Sequence, residues 1–274
     1  MTIRRHGGEI VRDVVAVEAP LEIRVAGAPI VVTMRTPGDD LELAAGFLYS
    51  EGIVDHRDDV VDLREVEPVA ALVTLGEHGC AGAAIVEARL RDRSVGRAVA
   101  EGGADAEGGS GALLRPRAFR ATAACGVCGK QRLEDLEVAL PALEALLVDD
   151  ALLETLPSRL REHQELFDAT GGLHGAGLFD AAGTLLCLRE DVGRHNAVDK
   201  VIGWSLLRGD LPLTGRILAV SGRAGFEIVQ KAIRAAIPVV VAVGAASSSA
   251  VDLARASGLA LHTFVAPGRG NLHV

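Results

Sequence analysis

Two cysteines, three positions apart in the stretch Cys125-Gly126-Val127-Cys128-Gly129-Lys130, are close enough in sequence to share one reactive site. The glycines let the backbone bend tightly and leave both sulfurs accessible. The run that begins at Lys130 predicts the first turns of a helix, and a cysteine at a helix N-terminus beside basic residues is favoured as the reactive thiolate. Three kinds of site use such a pair: half of a zinc site, a dithiol redox pair, and a sulfur carrier that attacks with one cysteine.

The other candidate ligands argue against zinc. A structural zinc site needs four ligands, and Cys80 and Cys187 are isolated in the sequence, as expected of inert core residues. A zinc deaminase carries His-x-Glu before its cysteine pair, whereas the His-x-Glu at His163 follows the pair in the middle of a predicted helix. We therefore expect no metal site. A thioredoxin-like protein would place the pair between a strand and a helix, and the strand of that unit is missing here.

Three polar clusters each follow a predicted strand: Arg189 to Lys200 with Arg194 and His195, Ser221-Gly222-Arg223-Ala224-Gly225, and Ala266-Pro267-Gly268-Arg269-Gly270-Asn271. In open α/β sheets, ligands bind beyond the carboxyl ends of the strands. Backbone N–H groups of the second cluster can point at an anion, with Arg223 as a charged clamp. The clusters together predict a site for a phosphate-bearing ligand. His174, in a glycine-rich strand start, is either a structural histidine or a member of this site.

The elements that must position these residues form two groups. In the first group, apolar alternation predicts strands over residues 14–18, 21–25, 30–34, 60–75 and 83–90, with a helix over residues 41–51. In the second, helical spacing predicts a helix over residues 149–167, followed by two strands about a tight turn between residues 171 and 188. Helices over residues 196–207, 225–235 and 249–256 then alternate with strands over residues 216–220, 238–243 and 259–265. Such alternation indicates a layered α/β domain with a mainly parallel or mixed sheet.

These groups predict two domains. A smaller β-rich domain is expected over residues 1–115, and an α/β domain that carries the cysteine loop and the ligand site over residues 116–274. Residues 92–114 include an acidic, glycine-rich run with too few apolar residues to pack, so we expect a flexible loop there.

Composition excludes several classes of protein. The chain has 28 Lys and Arg against 37 Asp and Glu, a net charge of −9, which disfavours general nucleic-acid binding. No apolar run reaches the roughly 18 residues of a membrane span, and the N-terminus lacks the apolar segment of a signal peptide. Four cysteines in 274 residues do not make a disulfide framework. We expect a cytoplasmic protein that binds neither nucleic acid nor membranes.

The motifs resemble the FdhD family, the formate dehydrogenase accessory sulfurtransferases. The resemblance runs nearly end to end and includes the cysteine stretch and the highly specific run Glu190-Asp191-Val192-Gly193-Arg194-His195-Asn196-Ala197-Val198-Asp199-Lys200. Other matching stretches are Thr36-Pro37-Gly38-Asp39, Gly46-Phe47-Leu48, Glu51-Gly52-Ile53, Gln164, Phe167, Thr170-Gly171-Gly172-Leu173-His174 and Ser221-Gly222-Arg223.

The resemblance implies a cytidine-deaminase-like layered α/β domain behind the smaller β-rich domain, usually in a homodimer. It implies that the protein accepts sulfur from a cysteine desulfurase as a persulfide on Cys125, with Cys128 as the second thiol. The sulfur would pass to the molybdenum of bis-molybdopterin guanine dinucleotide, bound as a substrate before its insertion into formate dehydrogenase. The segment that matches the family's cofactor contacts is Phe264-Val265-Ala266-Pro267-Gly268-Arg269.

The polar clusters add further candidate cofactor contacts: His174, Arg194, His195, Ser221, Gly222 and Arg223. Two alternatives to a sulfur carrier stay open, a CxxC dithiol oxidoreductase and a non-catalytic chaperone that only binds the cofactor.

Overall fold

A computed structural model describes residues 2–4, 6–66, 83–91, 120–121 and 142–273. These residues form a two-stranded and a five-stranded sheet in the N-terminal half of the chain and a six-stranded sheet in the C-terminal half. The predicted mixed α/β fold class is confirmed. The cytidine-deaminase-like layering and the domain boundary after residue 115 stay predictions, and the predicted loop over residues 92–114 lies outside the described residues.

The N-terminal half is built mainly from strands. The antiparallel pair consists of β1 (Thr2–Arg4) and β2 (Ile10–Arg12). The five-stranded sheet, in the order β5-β6-β3-β4-β7, consists of β3 (Ala19–Val25), β4 (Ala28–Arg35), β5 (Val60–Val66), β6 (Ala84–Leu90) and β7 (Arg120–Ala121). Between β4 and β5 lie α1 (Asp40–Ser50) and a 3₁₀ turn (Arg57–Asp59). Every second residue of β3 is buried, so one face of this sheet packs on the core.

The C-terminal half alternates strands and helices. Its elements are α2 (Asp150–Leu153), α3 (Leu156–Arg161), α4 (Glu165–Thr170), β8 (His174–Asp180), β9 (Leu185–Asp191), α5 (Arg194–Arg208), β10 (Arg216–Val220), α6 (Phe226–Arg234), β11 (Val239–Ala242), α7 (Ser248–Ser257), β12 (Ala260–Ala266) and β13 (Arg269–His273). The sheet order is β13-β12-β11-β10-β8-β9. Seven elements begin and end within two residues of their predicted ranges: the helices α1, α5, α6 and α7 and the strands β10, β11 and β12.

The strand directions place several turns of the chain at the same edge of the six-stranded sheet. β10, β11 and β12 are parallel, whereas β8 and β13 run antiparallel to their neighbours, so the predicted mixed sheet is confirmed. β9 is antiparallel to β8 and therefore runs in the direction of β10. The carboxyl ends of β9, β10, β11 and β12 consequently lie at one edge of the sheet, together with the amino ends of β8 and β13.

Both faces of the six-stranded sheet are buried. Leu218 of β10 belongs to a large core that also includes residues of α5, α6 and α7. Its neighbour Ile217 points to a smaller core with Leu156 and Leu160 of α3. The large core continues through α1 into the five-stranded sheet, where it includes Leu21, so the two halves of the chain share buried apolar side chains.

A close contact between helices joins the two halves. Gly46 of α1 faces α5 so closely that an added Cβ would lie 1.8 Å from the carbonyl oxygen of Asp199. Gly203 of α5 faces α1 in the same way, and its Cβ would lie 1.8 Å from the oxygen of Glu42. Only glycine permits such an approach of two helix backbones.

The predicted strand over residues 14–18 is wrong. Residues 13–18 have no regular structure, and Val14, Val15 and Val17 are exposed by 61%, 47% and 54%. β3 begins only at Ala19 and already has β4 and β6 as its partners. Apolar alternation alone does not make a strand here, because no strand among the described residues pairs with this segment.

The single helix predicted over residues 149–167 is also wrong, because three short helices take its place. Pro157 lies in the first turn of α3, where its missing N–H is tolerated, whereas the middle of a longer helix would not accept it. His163 stands in the turn between α3 and α4 rather than within a helix. The carboxylate of Glu190 accepts the N–H groups of Leu166 and Phe167 at 2.8 Å each, and so caps the start of α4 from another element.

The last predicted strand is followed by one more. β13 pairs antiparallel with β12, so Ala266-Pro267-Gly268-Arg269 forms the turn and start of a hairpin. Its sequence is mostly polar and exposed, which is acceptable at the edge of a sheet but gives no apolar strand signal. Within the described residues, no helix is both long and apolar enough to cross a membrane.

Candidate functional site

The three predicted polar clusters meet along one edge of the six-stranded sheet. We call this row the strand-end edge and define it as His174, residues 191–195, residues 221–223, Gly244 and residues 264–269. His174 pairs with Asp191, which joins the start of β8 to the first cluster. The amide of Gly244 donates to the oxygen of Gly222 at 2.9 Å, and the amide of Phe264 donates to the oxygen of Gly244 at 3.2 Å. Gly244 therefore bridges the second and third clusters.

Asp191 organises the first cluster and is fully buried. One carboxylate oxygen accepts the amide of Gly193 at 2.8 Å and the side chain of Asn196 at 3.0 Å. The other lies 2.9 Å from the ammonium of Lys200, which is 1% exposed. These contacts bend the chain from β9 into α5, so Asp191, Asn196 and Lys200 hold the backbone and are closed to a ligand.

The N-terminal half contributes to the same anchor. The amide of Thr36, just after β4, donates to Asp191 at 3.1 Å, and the amide of Val192 donates to the hydroxyl of Thr36 at 3.1 Å. Lys200 also donates to the oxygen of Thr36 at 3.0 Å. The next residue before Thr36, Arg35, is buried and pairs with Asp40 at 2.6 Å. The turn after β4 thus supports the strand-end edge from outside the six-stranded sheet.

Arg194 and His195, in the first turn of α5, belong to the first cluster but make none of these anchoring contacts. The Nε of Arg194 is buried and has no hydrogen-bond partner among the described residues. His195 Nε2 lies 3.3 Å from a carboxylate oxygen of Glu227 in the first turn of α6. Burial, followed by the charges of Arg194 and Lys231, lowers the pKa of His195 to about 3, so the Glu227 carboxyl group faces a neutral ring at pH 7.

His174 lies between the first and second clusters. A Cβ on Gly222 would approach its Nδ1 to 3.2 Å, so the second cluster passes directly over the ring. Burial, with the charges of Arg194 and Arg223, lowers the pKa of His174 as well. Both histidines of the predicted site are therefore neutral at physiological pH, and the arginines carry its positive charge.

The second cluster is a turn that hydrogen bonds hold to β8 and to the turn after β11. The hydroxyl of Ser221 accepts the amide of Gly175 at 2.8 Å, and so extends the pairing of β8 with β10. The amide of Ala224 donates to Ala245 at 3.0 Å, which aligns the turn after β10 with the turn after β11. Arg223 is exposed above this pair of turns, and its Cγ lies 3.0 Å from where a Cβ of Gly244 would stand.

The third cluster divides into core and edge residues. Val265 is 2% exposed and belongs to the smaller core, so its side chain faces away from solvent. Phe264 is 48% exposed and has a φ of 53°, a conformation that is strained for a bulky residue. The amide of Gly268 donates to Glu154 at 2.8 Å, which ties the hairpin turn to the residue that follows α2. Arg269 follows, exposed, at the start of β13.

Sequence reasoning missed two residues of this edge. Gly244 carries no motif, and its need for glycine appears only once the turn after β10 lies against it. Glu227 stands alone in an amphipathic helix, and only the fold brings it to His195. The signal available in the sequence for Glu227 was its position two residues after Gly225, in the first turn after an anion-binding type of loop.

The predicted reactive cysteines, Cys125 and Cys128, lie outside the described residues, and so does Cys80. Cys187 is 5% exposed, and burial raises the pKa of its thiol to about 12. It is the inert core residue that the sequence predicts. In the described part of the chain, no group of three or more His, Cys, Asp or Glu side chains is placed to hold a metal ion.

Comparison with known proteins identifies the family of the chain. The model of the FdhD/NarQ family matches residues 16–273. A sulfur carrier protein FdhD of Mycolicibacterium paratuberculosis is 46% identical over 269 residues, which cover 95% of this chain and 90% of that protein. Proteins of the same name from Nocardia farcinica and Anaeromyxobacter dehalogenans are 45% and 43% identical, over 94% and 99% of this chain and 85% and 90% of theirs.

A solved structure agrees with the fold. The crystal structure of a putative formate dehydrogenase accessory protein from Desulfotalea psychrophila superposes with a TM-score of 0.68 at 24% identity, and the match covers all of this chain and 94% of that one. The extent of the family match and the identity to relatives over nearly their whole length lead to one conclusion. The chain belongs to the FdhD/NarQ family.

Proposed function

We propose that this protein is a sulfur carrier for a molybdenum enzyme. It accepts sulfur from a cysteine desulfurase as a persulfide on Cys125 and transfers it to the molybdenum of bis-molybdopterin guanine dinucleotide, which it binds as a substrate. The client is formate dehydrogenase. The name sulfur carrier protein, shared by relatives that are 42% to 46% identical, supports the first part, and the accessory role named for the Desulfotalea protein supports the client.

The observation that carries the cofactor half of the proposal is the convergence at the strand-end edge. Two separate chain reversals flank His174, since it pairs with Asp191 at the end of β9 and a Cβ on Gly222 would stand 3.2 Å from its Nδ1. Arg194 and Arg223 follow directly in these two reversals. Phe264 to Arg269 extend the same edge. A dinucleotide with two diphosphate groups needs donors of fixed positive charge and backbone N–H groups, and this edge offers both.

The loading step is an exchange of sulfur without net oxidation. The Cys125 thiolate attacks the outer sulfur of the desulfurase persulfide, the S–S bond of that persulfide breaks, and the desulfurase cysteine leaves as a thiolate. The new persulfide on Cys125 carries the sulfur atom at the oxidation level of the donor.

Delivery as sulfide requires two electrons, and Cys128 is the residue placed in the sequence to supply them. Its thiolate attacks the inner sulfur of the Cys125 persulfide, the outer sulfur leaves with the electron pair of the broken bond, and a Cys125–Cys128 disulfide remains. A cellular dithiol then reduces that disulfide. The proposal therefore gives the two cysteines different roles, with Cys125 as the carrier and Cys128 as the resolving thiol.

Mass spectrometry after incubation with a cysteine desulfurase and cysteine tests the loading step. The wild-type protein should gain the mass of one sulfur atom, and Cys125→Ala should gain none, because the accepting thiolate is absent. The control Cys80→Ala should load like the wild type. Sulfur loading that persists in Cys125→Ala would refute the assignment.

Two other functions predict different results in the same preparation. A dithiol oxidoreductase would accelerate the reduction of insulin by a small thiol, which a carrier should not do. A chaperone that only binds the cofactor would show neither turnover nor sulfur loading. The proposal also includes a homodimer in the cytoplasm, and light scattering would report the mass of two chains.

A further inference from the structure

Glu227 and His195 form a buried contact between two helices at the strand-end edge. Oε2 of Glu227 lies 3.3 Å from Nε2 of His195, and the two side chains are 12% and 13% exposed. The second oxygen of Glu227, Oε1, is buried without a hydrogen-bond partner among the described residues. The pair is therefore a defined contact shielded from solvent, at the start of both α5 and α6.

The surroundings of the pair are charged on several sides. His195 faces Arg194 on its own helix, Lys231 on α6 and His174 on β8. Glu227 faces Lys231 and Arg194 as well as the acidic Glu51 and Asp199. Because the pKa of His195 is about 3, its ring carries one proton at pH 7, and the partner at Nε2 decides which nitrogen holds it.

We propose that Glu227 is a positioning residue. It accepts a hydrogen bond from the Nε2–H of His195 and so leaves Nδ1 as the hydrogen-bond acceptor of the ring. With this tautomer, His195 accepts a hydrogen bond from a nucleoside N–H or O–H of the cofactor and does not bind its phosphates. Phosphate oxygens are acceptors, and an acceptor nitrogen gains nothing from them. The arginines of the edge have only donors, so they meet the phosphates instead. The inference rests on the proposed cofactor site.

The tautomer can be measured in the ligand-free protein. In ¹⁵N-histidine-labelled protein at pH 7, the ring signals missing from His195→Gln identify His195, and they should show the proton on Nε2. Glu227→Leu has a similar size but offers no acceptor to Nε2, so the ring should no longer be held in one tautomer, and part of its signal should show the proton on Nδ1. A proton on Nδ1 in the wild type, or a ring held fully as the Nε2 tautomer in Glu227→Leu, would overturn the inference.

Two probes then separate nucleoside from phosphate recognition. Calorimetry should show that Glu227→Leu binds guanosine diphosphate about 3- to 10-fold more weakly, the effect of one neutral hydrogen bond. Its affinity for inorganic pyrophosphate should stay within about 2-fold of the wild type, because pyrophosphate has no nucleoside to lose. Equal weakening of both probes, or no weakening of either, would contradict the assigned role.

Two variants serve as controls. His195→Asn keeps an acceptor oxygen near the position of Nδ1, whereas His195→Gln keeps polar atoms only near the position of Nε2, beside Glu227. His195→Asn should therefore retain more affinity for guanosine diphosphate. Asp252→Asn removes an exposed carboxylate on α7 and should leave both affinities unchanged. Equal affinities of His195→Asn and His195→Gln would count against Nδ1 as the acceptor.

Failure of the wild type to bind guanosine diphosphate would overturn the proposed cofactor site, whereas the ring spectra would still decide whether Glu227 positions His195.

Discussion

Asp191 and Arg194 stand three positions apart in one charged run, but the structure separates what they do. The carboxylate of Asp191 is buried and bonded to Asn196 and Lys200, whereas the Nε of Arg194 has no partner among the described residues. An ion pair of this kind holds a chain reversal in place because either charge alone would be costly to bury. Residues that look equally functional in the sequence thus divide into those that shape the edge and those that can meet a ligand.

Arg223 belongs to the second kind, and its removal should weaken nucleotide binding. A charge-assisted hydrogen bond to phosphate contributes about 1.5 to 3 kcal/mol, so Arg223→Ala should bind guanosine diphosphate about 10- to 150-fold more weakly in calorimetry. Arg216→Ala, at the opposite end of β10, is the matched control and should bind like the wild type. Equal affinities of Arg223→Ala and the wild type would remove Arg223 from the site.

Sequence patterns identified the basic residues of the edge but not their states. Arg223 and His195 were predicted from small-residue turns and charge, and the structure places Arg223 beside Gly244 and His195 at the start of α5, on the same edge. That both histidines are neutral depends on burial and on neighbours from other elements, which no local pattern encodes. Glu227 was missed for the same reason, since its partner lies 32 residues earlier in the chain.

At the scale of elements, the contact between α1 and α5 is what couples the two halves of the chain. A Cβ on Gly203 would lie 1.8 Å from the oxygen of Glu42, so the helices must separate before alanine fits. The start of α5 carries Arg194 and His195, so a shift of this helix also shifts the site.

Gly203→Ala should therefore lower the free energy of unfolding by about 2 to 3 kcal/mol or more, measured by urea denaturation, because overpacking forces backbone shifts. The matched control is Gly225→Ala, which makes the same change where nothing lies within 4 Å of the added Cβ. It should cost less than about 1 kcal/mol, the range of a change at a helix N-cap. Similar losses in both variants would contradict a specific close contact.

The elements differ in how well the sequence predicted them. β10, β11 and β12 are short apolar runs flanked by turns, and their ranges were predicted because burial on both faces leaves an unbroken apolar signal. The division of residues 149–167 into three helices was not predicted, because the cap on α4 comes from Glu190, which follows it in the chain. Local spacing cannot report a partner that only the fold supplies.

At the scale of the whole molecule, one large core runs from the five-stranded sheet through α1 and α5 to the six-stranded sheet. The turn after β4 and the turn after β9 are joined through Thr36 and Asp191. The strand-end edge is therefore supported by both halves of the chain. In the proposed function, sulfur loading on Cys125 and cofactor binding at this edge use different residues, so the two steps should be separable.

Transfer of labelled sulfur tests this account most directly. The protein is loaded from a desulfurase and cysteine that carries a heavy sulfur isotope, separated from the desulfurase, and mixed with cofactor and apo formate dehydrogenase. The label should leave Cys125 and appear in the cofactor of the active enzyme, whereas loaded Arg223→Ala should keep its label and activate little enzyme. Full activation with unlabelled cofactor, while the label stays on the carrier, would contradict the proposal that this protein delivers the sulfur.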